Sequence, residues 1–447
     1  MRVIKSIANR IRERFTGSEQ AKAIVGNSLW LLGDRILRMS VGIFINIWIA
    51  RYLGPEQFGL WSYCLSFAGL FVVFSNLGLD TIVVRELVRH PEKEAVILGT
   101  AFWLRLVAGI ITFLITLLAI FQVRDGDFLT LCLVGLYSGG YIFQSFNVID
   151  QYFQSKVQSK YSVIASSSAF VLATIIKVVL LLNHASLLAI AAVGLIEVVF
   201  TALFFVVAYR NNQRAITVWQ YQYQMAKELL KYSWPMILSG VSIMIALRID
   251  QIMIGELLGD REVGIFAAAA RMSELSFFIP SIIIASSSAS IIQAKNLSNK
   301  IYLQRTQQLL DLTALLALVV ALLISFFSGS IIHILFGAAY AEAAPLLAVH
   351  AWSGLFSCLG AASGIWMTSE GLQKYMFYRT LYGMLVNVIL NYWWIPIFGV
   401  MGAAMATICS QMIMSYVSDY FSSRTRVIFF MKTQSLFMKN LWSKVIQ

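Results

Sequence analysis

The stretch Ile49–Trp61 reads I-A-R-Y-L-G-P-E-Q-F-G-L-W, and a degenerate copy at Ile254–Phe266 reads I-G-E-L-L-G-D-R-E-V-G-I-F. A constant offset of 205 residues pairs Leu53 with Leu258, Gly54 with Gly259, Gly59 with Gly264 and Trp61 with Phe266. Each copy is a glycine-bearing turn between two apolar runs. A repeat of about half the chain length in a hydrophobic protein predicts two structurally related bundles, which is a common plan among transporters.

The composition is that of a membrane protein. The 447 residues are 59% hydrophobic and only 13% charged, with a mean hydropathy of +0.76, whereas soluble domains carry about a quarter charged residues. The net charge of +12 does not indicate nucleic acid binding, because the basic residues sit in short segments between apolar runs. The four cysteines lie inside apolar runs without a C-x-x-C pair, so neither disulfides nor a metal site is expected.

Twelve apolar segments are each near the ~20 residues that a bilayer-spanning helix needs. They lie at about 23–48, 58–80, 96–121, 128–149, 161–182, 186–208, 233–254, 264–293, 308–335, 345–369, 380–397 and 399–421. The polar stretch 209–232 divides them into bundles at 23–208 and 233–421. Residues 1–22 form a basic amphipathic segment and residues 422–447 a basic tail with interspersed aromatic residues, and both are expected at the cytoplasmic surface. No cleavable signal peptide is expected.

The positions of the basic residues predict the topology. With a cytoplasmic N terminus, 25 of the 34 Lys and Arg residues fall in cytoplasmic tails and loops and three in loops on the opposite side. The other six lie within spans. An excess of Lys and Arg in alternate loops marks the cytoplasmic side. The count therefore predicts twelve spans with both termini in the cytoplasm.

Charged residues inside the spans are the candidate functional residues, because an ionised group in hydrocarbon costs at least ~2.5–3.5 kcal/mol and needs a cavity or a partner. Six bases are candidates for lining a substrate cavity: Arg35, Arg38, Arg105, Lys177, Arg248 and Arg271. Four deep acids are candidates for coupling transport to H+ or Na+: Asp34, Glu197, Asp250 and Glu274. The excess of bases favours an anionic solute such as a phosphate or pyrophosphate headgroup.

Some of these charges have a structural alternative. Asp34 and Arg38 are spaced i,i+4, so they can pair within one helix, and Arg271 and Glu274 are spaced i,i+3. Such pairs support folding without touching a substrate. Arg248 and Asp250 are two residues apart and point to nearly opposite sides of a helix, so they cannot neutralise each other.

Several motifs resemble those of the multidrug/oligosaccharidyl-lipid/polysaccharide (MOP) exporter superfamily, and above all those of bacterial polysaccharide-unit (Wzx-type O-antigen) flippases. They are Asn27–Trp30, Arg51–Gly59, Leu77-Gly78-Leu79 followed by Arg85-Glu86, and Gly399–Ala406. The resemblance implies an all-α integral membrane fold with twelve transmembrane helices in two related six-helix bundles around a central lumen. It also implies that a polyprenyl-pyrophosphate-linked oligosaccharide is moved across the inner membrane by alternating access. Expected partners are this lipid-linked oligosaccharide, membrane lipids, and a polysaccharide polymerase with its chain-length machinery.

Two other functions remain as alternatives. A proton- or sodium-coupled multidrug exporter of the same superfamily would favour an acidic or aromatic lumen for cationic drugs, whereas the deep charge here is basic. A membrane enzyme such as a polymerase, ligase or glycosyltransferase would need a sizeable extramembrane loop for its catalytic groups. The outward loops are short, and the sequence contains neither H-E-x-x-H nor G-x-x-x-x-G-K-[ST]. We therefore expect a transport protein that is not an enzyme and needs no cofactor.

Overall fold

The computed structural model describes residues 19–437, and within that range the chain forms helices and no β-strand. The α-helices are α1 (Glu19–Asn76), α2 (Asp80–Arg89), α3 (Glu94–Val123), α4 (Phe128–Phe143), α5 (Val148–Ser155), α6 (Ser159–Leu182), α7 (Leu187–Asn211), α8 (Tyr223–Leu257), α9 (Asp260–Leu275), α10 (Phe278–Leu297), α11 (Asn299–Phe336), α12 (Ala343–His350), α13 (Ser353–Ser369), α14 (Gln373–Phe398), α15 (Val400–Ser415) and α16 (Arg426–Leu436). Most of the amphipathic segment expected in residues 1–22, namely residues 1–18, lies outside the described residues.

The predicted number of spans is confirmed. Within the described range, ten helical stretches are long and apolar enough to cross a membrane, and α9 with the following stretch Pro280–Leu297, bent by 41°, passes the same test as a pair. The first of the ten, Leu29–Arg89, has 61 residues and contains a break at Gly54, where φ is 70° and ψ is 174°. A bilayer core of ~30 Å needs only about 20 helical residues, so this stretch provides two spans. Counting the bent pair as one span then gives twelve.

The sequence repeat corresponds to a repeated backbone conformation. Gly54 breaks α1 at φ 70°, and Gly259 precedes α9 at φ 107°, with nearly the same ψ of 174° and 173°. Glycine is favoured there because a Cβ is strained at positive φ. Each glycine thus ends one span and starts the next, as the two copies of the motif predict.

The two copies of the motif also contact each other through Gly59 and Gly264. A Cβ built on Gly59 would overlap the carbonyl oxygen of Asp260, and one built on Gly264 would overlap the carbonyl oxygen of Pro55. The contact is reciprocal, because Pro55 and Asp260 are themselves related by the offset of 205 residues. The helices therefore approach backbone to backbone, at a distance that only glycine permits.

By their contacts, the residues group into two compact units. Unit 1 contains Phe71–Gly240 with the chain up to Ile49, and unit 2 contains Ala50–Leu70 with the chain from Val241 onward. Unit 1 has a buried core that includes Leu79, Ile97 and Phe153, and unit 2 has one that includes Leu310, Leu359 and Met367. The chain passes from one unit to the other within helices α1 and α8, and not at the polar stretch 209–232.

That polar stretch is docked onto unit 1. The backbone N–H of Gln220 donates to the carbonyl of Ala95 at 3.1 Å, and the N–H of Gln222 donates to Thr100 Oγ1 at 3.1 Å. Gly99 leaves no room for a Cβ against the backbone of Gln220. The indole of Trp219 donates to the hydroxyl of Tyr209 at 3.3 Å. These contacts fix the stretch against the first turns of α3.

Helix α16, which belongs to the basic tail, is anchored to unit 2 by a buried ion pair. Lys432 is 0% exposed, and its ammonium donates to the Asp419 carboxylate and to the carbonyl of Ser415, each at 2.6 Å. Burial lowers the pKa of Lys432 to about 8, an effect that the nearby Asp419 carboxylate opposes. The tail helix expected from the sequence is therefore packed into the protein and not simply laid on a surface.

The contact between Gly59 and Gly264 predicts that alanine affects stability differently at two glycines of α1. Gly59→Ala should lower the thermal unfolding midpoint of the purified protein, because the added methyl overlaps backbone atoms and overpacking costs ~1–3 kcal/mol. Gly42→Ala should not lower it, because a Cβ there meets open space and alanine is the better helix former by about 1 kcal/mol. Equal midpoints for the two variants would contradict the crossing.

Candidate functional site

Unit 1 brings four of the candidate residues into one ionic network. Arg38 of α1 contacts Asp34 at 3.0 Å, which is the expected i,i+4 pair, and reaches Glu197 of α7 at 3.5 Å. Lys177 of α6 contacts the other oxygen of Glu197, also at 3.5 Å. All four side chains are partly buried in membrane-spanning helices. With two cations and two anions, the network is electrically neutral.

Two further side chains of α6 hold this network in place. The hydroxyl of Ser167 donates to Asp34 at 2.5 Å, and the Arg38 guanidinium lies 4.9 Å from the centroid of the Phe170 ring, within cation–π range. Asp34 and Arg38 therefore have partners on α6 as well as on α1. The sequence indicated the charged members but not Ser167, because a serine in an apolar span is not unusual.

Unit 2 has an excess of positive charge around Arg248. The Arg248 guanidinium lies against Gly69, where a Cβ would be 3.7 Å from its Nε. Arg271 and Glu274, a pair at 4.0 Å on α9, act on Arg248 electrostatically. Arg248 makes no ion pair of its own with another described residue. Among the described residues, Glu274 is thus paired with Arg271 alone, which leaves the positive charge of Arg248 without an ion pair in a membrane-spanning region.

Asp250 has different neighbours from Arg248 and is surrounded by neutral groups. It is 6% exposed and accepts hydrogen bonds from the amide of Asn391 on α14 and, at 2.7 Å, from the hydroxyl of Thr407 on α15. Asn391 also donates to Asn387 Oδ1 at 3.3 Å. A carboxylate buried among neutral donors favours uptake of a proton or a cation, because an isolated buried charge is costly.

A cavity of about 290 Å³ lies beside Asp250, inside unit 2. It is lined by hydroxyl, amide, imidazole and carboxyl groups, namely Asp250, Gln251, Ser273, Glu274, His350, Ser353, Ser357, Thr407 and Gln411, among apolar side chains. The amide oxygens of Asn391 and Gln411 are buried and accept no hydrogen bond from the described residues. Unsatisfied oxygens near a carboxylate form a suitable environment for a hard cation or for water.

The structure places Arg105 differently from the cavity-lining position expected. Its side chain is 1% exposed, and its Nη2 donates to Asp80 at 2.7 Å. Asp80 also accepts from the amide of Gln151 at 2.8 Å. Arg105 therefore joins α2, α3 and α5 inside unit 1, and its charge is used for packing. Arg35, in contrast, is exposed and has no ion pair with another described residue.

Asn387, Asn391 and Thr407 are not among the site residues predicted from the sequence. The one available signal was the i,i+4 spacing of the two asparagines within an apolar span, which puts two amides on one helical face.

Comparison with known proteins identifies the family. The family described as "Polysaccharide biosynthesis protein" matches residues 24–292, which is more than half of the chain. A second family, described as "MatE", matches residues 235–393. Among curated proteins, none matches this sequence.

Solved structures share the fold at low sequence identity. An inward-facing multidrug resistance MATE family transporter of the MOP superfamily is 16% identical, with a TM-score of 0.71, covering 90% of this chain and 95% of the other. The lipid II flippase MurJ in an inward closed conformation is 16% identical, with a TM-score of 0.69, covering 93% and 91%. A MOP superfamily transporter from Pyrococcus furiosus, whose binding pocket is described as of reverse polarity, is 17% identical, with a TM-score of 0.59, covering 93% and 95%.

These neighbours have the twelve-helix, two-bundle fold that the sequence predicts. The chain is therefore a multi-pass membrane protein that belongs to the polysaccharide biosynthesis protein family, and it shares its fold with transporters of the MOP superfamily.

Proposed function

We propose that this protein is a flippase that moves a polyprenyl-pyrophosphate-linked oligosaccharide, an O-antigen or other polysaccharide repeat unit, from the cytoplasmic to the periplasmic leaflet. The substrate is accepted on the cytoplasmic side and released on the other by alternating access. The protein performs no covalent chemistry. Its product is a repeat unit available to a periplasmic polymerase.

The observation that carries the proposal is the surplus guanidinium charge around Arg248 in a chain of the polysaccharide biosynthesis family. A pyrophosphate carries negative charge that must leave water on its way through the membrane. Guanidinium groups bind phosphate oxygens with two parallel hydrogen bonds, which compensates for part of that loss. Glu274 pairs with Arg271, so the guanidinium group of Arg248 remains for the pyrophosphate.

We further propose that Asp250 couples transport to an inward flow of H+ or Na+. Its carboxylate has neutral hydrogen-bond donors, a polar cavity of about 290 Å³ beside it, and the free amide oxygens of Asn391 and Gln411 nearby. Binding a cation neutralises the buried carboxylate, and its release restores the charge. The free energy of keeping Asp250 buried therefore differs between the protein with the cation bound and the protein without it. Coupling requires such a difference. Asp34 and Glu197 are weaker candidates because Arg38 and Lys177 already neutralise them.

Multidrug export is the second candidate function, because the MatE family matches residues 235–393 and a multidrug transporter shares the fold. Cationic drugs need carboxylates or aromatic faces without competing cations. In unit 2, the exposed carboxylate Glu274 already pairs with Arg271. The other candidate carboxylate, Asp250, is buried and bonded to Asn391 and Thr407. Arg248, in contrast, has no ion pair with another described residue. This arrangement favours an anionic substrate.

The flippase proposal predicts that Arg248→Ala lowers transport about tenfold or more at normal membrane abundance, because a charged hydrogen bond contributes ~1.5–3 kcal/mol. The measurement is the sidedness of lipid-linked oligosaccharide in cells, read with a membrane-impermeant glycan probe. Arg261→Ala is the matched control, because Arg261 is exposed and bonded to Glu342 at 2.8 Å. Normal sidedness in cells depleted of the protein, together with loss of dye efflux, would favour the drug exporter instead.

The coupling proposal predicts that Asp250→Asn slows transport and makes the remaining transport insensitive to ionophores, because an amide cannot take up a proton or replace a carboxylate charge. Transport is followed in energised vesicles before and after the H+ or Na+ gradient is collapsed. Glu256→Gln serves as the control, since Glu256 is on the same helix and accepts a hydrogen bond from Tyr63 at 2.7 Å. A wild-type transport rate that is unchanged after both the H+ and the Na+ gradient are collapsed would refute coupling.

A further inference from the structure

Helices α1 and α6 of unit 1 are joined at two places with an open groove between them. At one end, the side-chain oxygen of Asn27 accepts a hydrogen bond from the backbone N–H of Ser159 at 2.7 Å. About two helical turns further along, Ser167 donates to Asp34 at 2.5 Å. The groove between these contacts has a volume of about 550 Å³, which is in the usual range for small-molecule sites.

One part of the groove is aromatic and open. Trp30 lines it and is 43% exposed, although it lies within a membrane-spanning helix. The Lys160 ammonium lies 5.8 Å from the centroid of the Trp30 ring, which is within cation–π range and orients the indole. Gly33 lines the same groove, and a Cβ built there would meet no atom within 4 Å. The missing side chain of Gly33 therefore keeps the space beside Trp30 and Asp34 open.

The other part of the groove is polar and has no net charge. Asp34, Ser167 and Ser168 line it, and Asp34 belongs to the neutral network with Arg38, Glu197 and Lys177. The Asp34 carboxylate is fixed by Arg38 and by Ser167, yet its side chain remains 19% exposed. A fixed carboxylate next to two hydroxyl groups can bind hydroxyl donors with little loss of conformational entropy.

We propose that the groove between α1 and α6 is a carbohydrate subsite that binds one sugar ring of the transported glycan. The ring stacks its C–H face on Trp30 and directs its hydroxyl groups to Asp34, Ser167 and Ser168. This assignment rests on the proposed flippase function and adds to it, because it separates recognition of the glycan in unit 1 from recognition of the pyrophosphate at Arg248 in unit 2.

Other parts of a lipid-linked glycan fit the groove less well. A pyrophosphate would meet the Asp34 carboxylate in a network without surplus positive charge, so repulsion would oppose binding. A polyprenyl or acyl chain would remove water from Asp34 and the hydroxyl groups and offer no hydrogen bonds in return. A sugar ring has both an apolar face and a rim of hydroxyl groups, so it matches the aromatic and the polar parts together.

Binding to matched synthetic probes tests the subsite. The purified protein in lipid nanodiscs is titrated with a short-chain polyprenyl pyrophosphate, and with the same molecule carrying glucose, galactose or N-acetylglucosamine. The quantity measured is the ratio of the Kd of the bare probe to that of the best glycosylated probe. We expect a ratio of about ten or more for the wild type, and a ratio near one for Gly33→Leu and Trp30→Ala, with the Kd of the bare probe unchanged.

Two variants of α1 serve as matched controls. Gly42→Leu adds the same side chain at a glycine where a Cβ also meets open space, and Trp48→Ala removes another exposed indole. Both should keep the wild-type ratio. A wild-type ratio near one for all three sugars, or an unchanged ratio in Gly33→Leu, overturns the subsite and makes Trp30 an interfacial membrane anchor. Failure of the wild type to bind any pyrophosphate probe instead contradicts the flippase function itself.

Discussion

The close approach of Gly59 and Gly264 is the constraint on which the rest of unit 2 depends. It joins residues of the first and second sequence repeats backbone to backbone, where no side chain can be inserted. It also explains why a short segment of the first repeat, Ala50–Leu70, packs with unit 2. Neighbouring contacts support the same segment, since Tyr340 donates to the carbonyl of Ala50 at 2.7 Å and Arg51 donates to that of Ile334 at 2.8 Å.

Around this framework, charge is distributed unequally between the units. In unit 1, Asp34, Arg38, Lys177 and Glu197 neutralise one another and Arg105 is buried against Asp80, while Arg35 is exposed. Unit 2 leaves a cation at Arg248 and a carboxylate at Asp250, each without an ionic partner of its own. A membrane protein tolerates unpaired charge only where it has a use. This division supports the proposal that unit 1 contacts the uncharged sugar of the substrate, while unit 2 binds its pyrophosphate and the coupling ion.

The sequence was sufficient for features that depend on local spacing or on averages over many residues. The repeat, the twelve spans and the i,i+4 contact of Asp34 with Arg38 were all predictable on that basis. Features that depend on distant neutral residues were not. Asn391 and Thr407 lie 141 and 157 residues from Asp250, and an isolated amide or hydroxyl in an apolar helix gives no signal of its own. The charge of Arg105 within an apolar span made it a candidate, but the burial of its side chain depends on how α2, α3 and α5 pack.

The docked stretch between α7 and α8 marks the boundary of the sequence repeat, but it does not coincide with the boundary between the two compact units. The repeat suggests two ancestral halves joined there, yet hydrogen bonds to Ala95 and Thr100 make the stretch part of unit 1. The chain instead passes from one unit to the other inside α1 and α8. In α8, Pro235 and Gly240 lie close to the position where it does so. Within the described residues, the chain therefore passes between the units through helical backbone and not through a loop.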